Sequence, residues 1–164
     1  DLVLDAYPLL EKKLGKAPAL VLAGTGPLLP DALLAAKKFP NIRYVGFISS
    51  IEEMARYYAS ADIGLALSGW ETFGLSILES MASGNAQVAA NTGAAAEHVR
   101  NSSAGCLLKK RTPEELADKI VLLLSLLDSN LKDSARHYAE RFSWKVCFER
   151  QLPLCRELAL TPTY

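Results

Sequence analysis

Short, nearly continuous apolar runs alternate along this chain with longer segments whose apolar residues recur at helical spacing. The short runs predict buried strands at residues 19–24, 42–47, 63–67, 87–90 and, more weakly, 105–109. They lack the strict alternation of a strand with one wet face. Continuous apolar strands are expected where helices cover both faces of a parallel sheet.

The longer segments predict helices at residues 2–14, 28–38, 51–59, 75–83, shortly after Gly93, and at 113–127, 131–142 and 144–158. Two of them begin with a capping box, in which a hydroxyl residue precedes a glutamate by three positions: Ser50 with Glu53, and Thr112 with Glu115. Alternating strands and helices indicate βαβ crossovers. The predicted fold class is therefore α/β, a Rossmann-like doubly wound parallel sheet followed by a C-terminal helical tail.

The composition narrows the class of partner. The chain has 164 residues, half of them hydrophobic and 22% charged, which suits one globular domain over residues 1–164. Eighteen basic and eighteen acidic residues cancel, so no nucleic-acid partner and no anionic membrane surface is indicated. No apolar run has the 18 or so residues that would span a bilayer.

The cysteines and the first residues bear on cellular context. Cys106, Cys147 and Cys155 are scattered, without the spacing of a metal site or a redox pair, which favours a reducing compartment and a cytoplasmic location. The chain opens on Asp1, with neither an initiator Met nor a signal peptide, and its first helix lacks a start signal. We expect it to be the downstream part of a longer protein.

The segment GWETFGLSILESMASGN, residues 69–85, carries two glutamates on different local structures. Glu71 lies in the loop that follows a predicted strand, and Glu79 lies about one turn into the next helix. The first N–H groups of that helix lack intrahelical partners and favour an anion. Two carboxylates around an anion site suit a nucleoside-diphosphate sugar. The alternative is that Glu71 is a solvated loop residue and Glu79 an exposed helix residue.

ETFGLSILESMASG resembles the E-x7-E motif of retaining glycosyltransferases of the GT-B fold, in the large family four. The resemblance extends to LVLAGTGP, to the strand–helix–strand unit that begins IRYVGF, to NTGAAAEHV, and to FSWKVCFERQL, which is similar to the family's final helix. It implies a C-terminal, donor-binding domain. The fold is then one half of a GT-B enzyme, without its first strand and its N-terminal acceptor domain.

The resemblance implies a role for each matching residue. Glu71, with the expected catalytic role, and the backbone of Phe73 and Gly74 would contact hydroxyls of the donor sugar. Leu75 and Ser76 would bind the diphosphate through their N–H groups, and Glu79 would bind the ribose hydroxyls. The base would lie near a backbone segment and a neighbouring glycine turn, formed by Phe47, Ile48, Ser49 and Gly24. For Phe47 a core position, and for Gly24 a purely structural turn, stay open.

The family transfers a hexose-type sugar with retained configuration and without a metal or other cofactor, so none is expected here. The acceptor, and any peripheral membrane association, would belong to the missing N-terminal domain. The Arg and Lys that neutralise the leaving group should precede Asp1, so this chain alone is predicted to be inactive. A non-catalytic sugar-nucleotide-binding module and another GT-B relative, such as a sugar-nucleotide epimerase, are the alternatives. His98 is interpreted as a surface or packing residue, and Trp70 as part of the sugar pocket or as packing.

Overall fold

The computed structural model describes residues 2–160, and its elements follow the predicted strand–helix alternation. The strands, β1 to β5 in chain order, are Leu20–Ala23, Ile42–Gly46, Ile63–Ala66, Ala86–Ala90 and Gly105–Leu108. The helices, α1 to α8, are Leu2–Leu14, Leu29–Lys38, Ile51–Ser60, Leu75–Ala82, Gly93–Ser102, Pro113–Ser125, Ser129–Glu140 and Trp144–Leu160. The α/β fold class with parallel pairing and a helical tail is confirmed.

Strand β4 lies at the centre of the main sheet, and all five of its residues are buried. Its side chains alternate between two hydrophobic clusters. Val88 packs with Leu10 of α1 and Leu116 of α6, whereas Ala89 packs with Leu78 of α4 and residues of α5 and α7. Helices therefore cover both faces of β4, which explains why its sequence shows a continuous run instead of alternation.

The strands form two separate parallel sheets, whereas the sequence predicted one. β1 pairs with β2, and β3 pairs with β4, which pairs with β5. Across residues 2–160, β1 and β3 each have one edge without a strand partner. Hydrophobic periodicity identifies strands but does not specify which strands are neighbours, so this division was not visible in the sequence.

Helix α1 joins the two sheets on one face of the domain. Its Tyr7 packs with Ala35 and Ile42 beside the β1–β2 pair and donates a hydrogen bond to the carbonyl of Pro18 at 2.7 Å. Its Leu10 lies in the cluster between α6 and β4. Within the described residues, the helix therefore packs against residues of both sheets.

The helix boundaries follow their caps. Ser50 and Thr112 accept hydrogen bonds from the N–H groups of Glu53 and Glu115, at 3.2 and 3.3 Å, as predicted. Helix α7 begins two residues before the predicted start, because the Asp128 carboxylate accepts a 2.7 Å hydrogen bond from the N–H of Leu131. The prediction overlooked this aspartate as an N-cap.

Candidate functional site

The loop between β3 and α4 is a tight turn that Glu71 closes upon itself. The Glu71 carboxylate accepts a hydrogen bond from the N–H of Gly74 at 2.9 Å. Gly74 is the N-cap of α4 and adopts a left-handed conformation with φ of 81°. It is buried, and a Cβ added there would meet the Ile77 side chain at 2.9 Å. The left-handed backbone conformation therefore favours glycine here, whereas a small movement of the end of the Ile77 side chain would relieve the contact.

At the N-terminus of α4, two backbone N–H groups have no hydrogen-bond partner within residues 2–160 and are available to a ligand. The carbonyl of Gly74 accepts hydrogen bonds from the N–H groups of both Ile77 and Leu78 at 3.0 Å. Over residues 2–160, no hydrogen bond reaches the N–H of Leu75 or Ser76. These two donors, on exposed residues, lie at the positive end of the helix dipole. They are the groups for which the sequence predicted a diphosphate contact.

A second glycine turn, at the start of α5, contacts the backbone of the Glu71 loop. The N–H of Ala94 donates a 3.0 Å hydrogen bond to the backbone carbonyl of Glu71. Gly93 has φ of 56°, and a Cβ at this position would lie 2.5 Å from that same carbonyl oxygen. The close approach of the two loops therefore depends on the absence of a side chain at residue 93.

His98 of α5 fixes the same loop from the other side. It is 4% exposed, and its Nε2 lies 2.6 Å from the carbonyl oxygen of Phe73. Its Nδ1 lies 3.0 Å from the hydroxyl of Tyr138 on α7. The rings of Phe73 and Phe142 surround the imidazole at centroid distances of 6.1 and 5.4 Å. Burial raises the pKa of the Tyr138 hydroxyl, so it stays protonated and able to donate.

Glu71 and Ser76 line one pocket, together with Tyr58 of α3 and residues 64–67. Gln87 of β4, Ser80 of α4 and Ala95 of α5 line this pocket as well, so it is formed by β3 together with its neighbouring strand and helices. Glu79 does not line this pocket. It is exposed, and its charge adds to burial in raising the pKa of Tyr58, which places the carboxylate near that ring.

The remaining predicted donor-binding residues form a second group at the carboxyl ends of β1 and β2. The N–H of Gly24 donates to the carbonyl of Gly46 at 2.7 Å, and the carbonyl of Gly24 accepts from the Tyr44 hydroxyl at 2.9 Å. Phe47 is 73% exposed, so its interpretation as a core residue is wrong. Ile48 is half-buried and Ser49 exposed. Gly24 lines a second pocket, which also includes residues of α1.

The exposed fractions of Trp70 and His98 decide between the alternatives given for each residue. Trp70, next to Glu71, is 95% exposed, so its interpretation as a packing residue is wrong. His98 is buried, so its interpretation as a surface residue is wrong. It was overlooked as a support of the site because its partners lie 25 and 40 positions away along the chain. The one local signal was a lone histidine on the apolar face of a predicted helix.

Within the part of the chain that the structure describes, no cluster of three His, Cys, Asp or Glu residues could hold a metal ion. In the same part, no helix has the length and apolar character needed to cross a membrane. The expectation of metal-free chemistry stays a prediction. The arrangement at residues 71–76 offers carboxylate oxygens to hydroxyl groups and free N–H groups to an anion.

Comparison with known proteins shows the family to which this chain belongs. The sequence model of the glycosyl transferases group 1 family matches residues 1–126. One curated relative is a GDP-mannose-dependent alpha-(1-6)-phosphatidylinositol dimannoside mannosyltransferase from Mycobacterium tuberculosis. It is 37% identical over 126 residues, which are 77% of this chain and 32% of the relative. The chain therefore spans about a third of the length of the curated relative it matches.

Solved structures agree on the fold. The C-terminal domain of a glycosyl transferase group 1 family protein from Francisella tularensis has a TM-score of 0.64 and 28% identity, covering 84% of this chain and 73% of that one. A pneumococcal O-GlcNAc transferase, solved with UDP and GlcNAc, has a TM-score of 0.79 and 18% identity. It covers 98% of this chain and 33% of that one, and supports the fold alone.

Proposed function

Because this chain belongs to the glycosyl transferases group 1 family, we propose that it is the donor-binding domain of a retaining glycosyltransferase. The proposed donor is a nucleoside-diphosphate sugar, and the transferred group a hexose-type sugar. The observation that carries this proposal is the turn at residues 71–76. It combines a glutamate carboxylate with the two free N–H groups of Leu75 and Ser76 at the start of α4.

The diphosphate fits these two N–H groups. An oxyanion placed there accepts two hydrogen bonds and gains from the helix dipole, which is worth about 0.3–1 kcal/mol at an exposed helix end. The N–H of Gly74 is occupied by Glu71, whose negative charge opposes a phosphate in contact with it. The phosphate therefore belongs on Leu75 and Ser76, and the carboxylate belongs with an uncharged part of the ligand.

The hydroxyl groups of the donor sugar are that uncharged part. A carboxylate has two acceptor oxygens, and only Oε1 of Glu71 is bonded to the Gly74 N–H, so Oε2 is available to accept hydrogen bonds from sugar hydroxyls. Glu79, one turn further along α4 and exposed, is proposed to accept from the ribose hydroxyls. The two glutamates thus bind opposite ends of the donor, on either side of the diphosphate.

The base is proposed to lie against the ends of β1 and β2, near Gly24 and the backbone of Phe47, Ile48 and Ser49. The exposed Phe47 ring offers a stacking surface at that end. The similar proteins differ in the base: the mycobacterial relative is GDP-mannose-dependent, and the pneumococcal structure contains UDP. A screen of bases therefore belongs in the test.

The open edges of β1 and β3 support the proposal that a further strand completes the sheet. Each edge has backbone groups without a strand partner within residues 2–160, and α1 packs against residues of both sheets. A parallel strand inserted there would satisfy both edges and turn two sheets into one. We assign it, together with the acceptor-binding domain, to residues preceding this chain in a longer protein. Peripheral membrane association is proposed to occur only through that domain.

The chemistry proposed for the complete enzyme needs no metal or other cofactor. The protein orients the donor and stabilises the charge that develops on the diphosphate as it leaves. A cytoplasmic location is part of the same proposal, because Cys106, Cys147 and Cys155 are all free thiols.

Isothermal calorimetry on this chain tests the assignment. The ligands are GDP, UDP, GDP-mannose and UDP-GlcNAc, and the variants are Glu79→Gln and Glu71→Gln, which remove a charge at constant size. Glu79→Gln should weaken binding of the preferred nucleoside diphosphate about tenfold or more, since a hydrogen bond to a charged group is worth roughly 1.5–3 kcal/mol. Glu71→Gln should spare the nucleoside diphosphate and weaken only its sugar-bearing form.

The parent chain is expected to bind its preferred nucleotide weakly, at about micromolar to millimolar concentration. No binding of any of the four ligands at millimolar concentration would refute the proposed function. Equal losses in Glu71→Gln for both ligand forms would refute the division of roles between the two glutamates.

A further inference from the structure

The peptide unit between Phe73 and Gly74 is held at both ends. Its carbonyl oxygen lies 2.6 Å from Nε2 of His98, and its N–H donates to the Glu71 carboxylate at 2.9 Å. A peptide unit has a second orientation, reached by rotating its plane, and this rotation is easy where the next residue is a glycine with positive φ. Gly74 is such a residue, with φ of 81°. Two interactions favour the observed orientation, one within the loop from Glu71 and one from outside it, from His98.

The orientation of this peptide decides what the donor site presents. As observed, the N–H of Gly74 faces the Glu71 carboxylate and the carbonyl of Phe73 faces the protein interior. In the rotated form the carbonyl oxygen would point at the carboxylate and at any bound phosphate. The rotation would also turn the Gly74 N–H away from the site, so that the site would lose one hydrogen-bond donor. Two negative groups facing each other in this way disfavour binding of an anionic ligand.

A sugar hydroxyl bound to Glu71 would share the carboxylate with the Gly74 N–H, whereas no proposed ligand group competes for the carbonyl of Phe73. His98 therefore holds the peptide whether or not a ligand is bound. We propose that His98 is a positioning residue, which locks the Phe73–Gly74 peptide with its N–H directed into the donor site. This inference rests on the proposed function for its ligand, but the lock itself is a property of the unliganded chain.

The tautomer of His98 follows from its partners. The carbonyl of Phe73 only accepts, so Nε2 must carry the proton that forms this bond. In the neutral ring Nδ1 then accepts from the Tyr138 hydroxyl, at 3.0 Å. Tyr138 belongs to α7, so the chain of hydrogen bonds ties the donor loop to a helix on the same face of the sheet. The imidazole is 4% exposed, and water does not compete for these bonds.

Two amide variants separate the lock from simple packing. In His98→Gln the amide nitrogen is as many bonds from Cα as Nε2 is, so it reaches the Phe73 carbonyl. In His98→Asn the amide is placed as Nδ1 is, so it reaches Tyr138 and leaves Phe73 without a donor. Both variants bury one primary amide in the same cavity, and the shorter side chain differs by one methylene.

The assay combines nuclear magnetic resonance with binding. We expect the Gly74 amide resonance of His98→Gln to stay near that of the parent chain, and that of His98→Asn to move and broaden. Affinity for the preferred sugar nucleotide should fall about tenfold in His98→Asn relative to His98→Gln, the loss of one buried hydrogen bond. The same Gly74 resonance and the same affinity in both variants would overturn the proposal, since packing alone would then account for His98.

If either variant does not fold, a measurement on the parent chain still tests the role proposed for His98. Two-bond proton–nitrogen correlations of the imidazole should show a proton on Nε2. A ring protonated only at Nδ1 could not donate to Phe73 and would overturn the lock. If the parent binds no nucleotide, the proposed function fails, whereas the tautomer and the Gly74 resonances still decide the role of His98.

Discussion

Replacing Gly93 by alanine tests whether the start of α5 supports the donor loop. A Cβ at residue 93 would lie 2.5 Å from the carbonyl oxygen of Glu71, whereas ordinary contact begins at 3.4 Å. The carbonyl must therefore move by about 0.9 Å. The 3.0 Å hydrogen bond from the N–H of Ala94 to that oxygen would then be lengthened or lost. Gly93 also has φ of 56°, which disfavours any side chain.

The magnitude has two parts, and Gly15 isolates one of them. Gly15 has φ of 67° and nothing within 4 Å of an added Cβ, so Gly15→Ala carries the backbone strain without the clash. A left-handed conformation costs an alanine about 1–2 kcal/mol. The hydrogen bond from Ala94 is worth about 0.5–1.5 kcal/mol more. We therefore expect Gly93→Ala to lower the free energy of unfolding by about 1.5–3.5 kcal/mol, and Gly15→Ala by about 1–2 kcal/mol.

Urea denaturation measures the free energy of unfolding of both variants, and calorimetry measures their affinity for the sugar nucleotide. Because residues 71–74 carry the proposed sugar contacts, Gly93→Ala should weaken sugar-nucleotide binding, and Gly15→Ala should leave it unchanged. A Gly93→Ala chain as stable as Gly15→Ala, with parental affinity for the donor, would show that the two loops do not depend on each other. The support ascribed to α5 would then be wrong.

Two other predictions concern the sheet and the activity of the chain. Gly105→Ala should cost several kcal/mol and lower the thermal midpoint sharply, because its Cβ would lie 2.1 Å from the backbone carbonyl oxygen of Gln87 in β4. Gly26→Ala, which meets nothing within 4 Å, is the matched control, and equal midpoints would contradict the packing of β4 against β5. Incubated with GDP-mannose or UDP-GlcNAc and simple acceptors, the chain alone should transfer no sugar, because Leu75, Ser76 and Glu79 are exposed and water is not excluded from the site. Turnover above a Glu71→Gln control would refute this expectation.

Much of the fold could be predicted because its signals are local. Strand β4 and helix α4 are short runs whose periodicity can be read without knowing what they touch, and Ser50 and Thr112 mark helix starts within four residues. The proposed role of Leu75 and Ser76 is local too, since the N–H groups of a helix N-terminus are free wherever a helix begins. Such features depend on the next few residues alone.

The contacts that shape the site are long-range, and periodicity does not encode them. Gln87 lies in an apolar run, yet it is 1% exposed and donates to the Ser80 hydroxyl at 2.9 Å. Asn85 is buried beside it and donates to the carbonyl of Tyr58, 27 positions earlier. A sequence shows a glutamine or an asparagine at such positions without its partner. Burial of a polar side chain is favourable only when that partner is present.

The two ends of the proposed donor site differ in how far this chain builds them. The Glu71 turn is held from three directions, by its own carboxylate on Gly74, by the N–H of Ala94 and by His98. All of these lie on the face that β3, α4, α5 and α7 form together. The end proposed for the base belongs to β1 and β2, which no strand pairing within residues 2–160 connects to β3. The sugar end is therefore preorganised by residues of this chain, whereas the distance from Glu71 to Phe47 depends on what fills the edges between β1 and β3. Binding costs least where the geometry is fixed beforehand, so the strand that completes the sheet should strengthen recognition of the base more than that of the sugar.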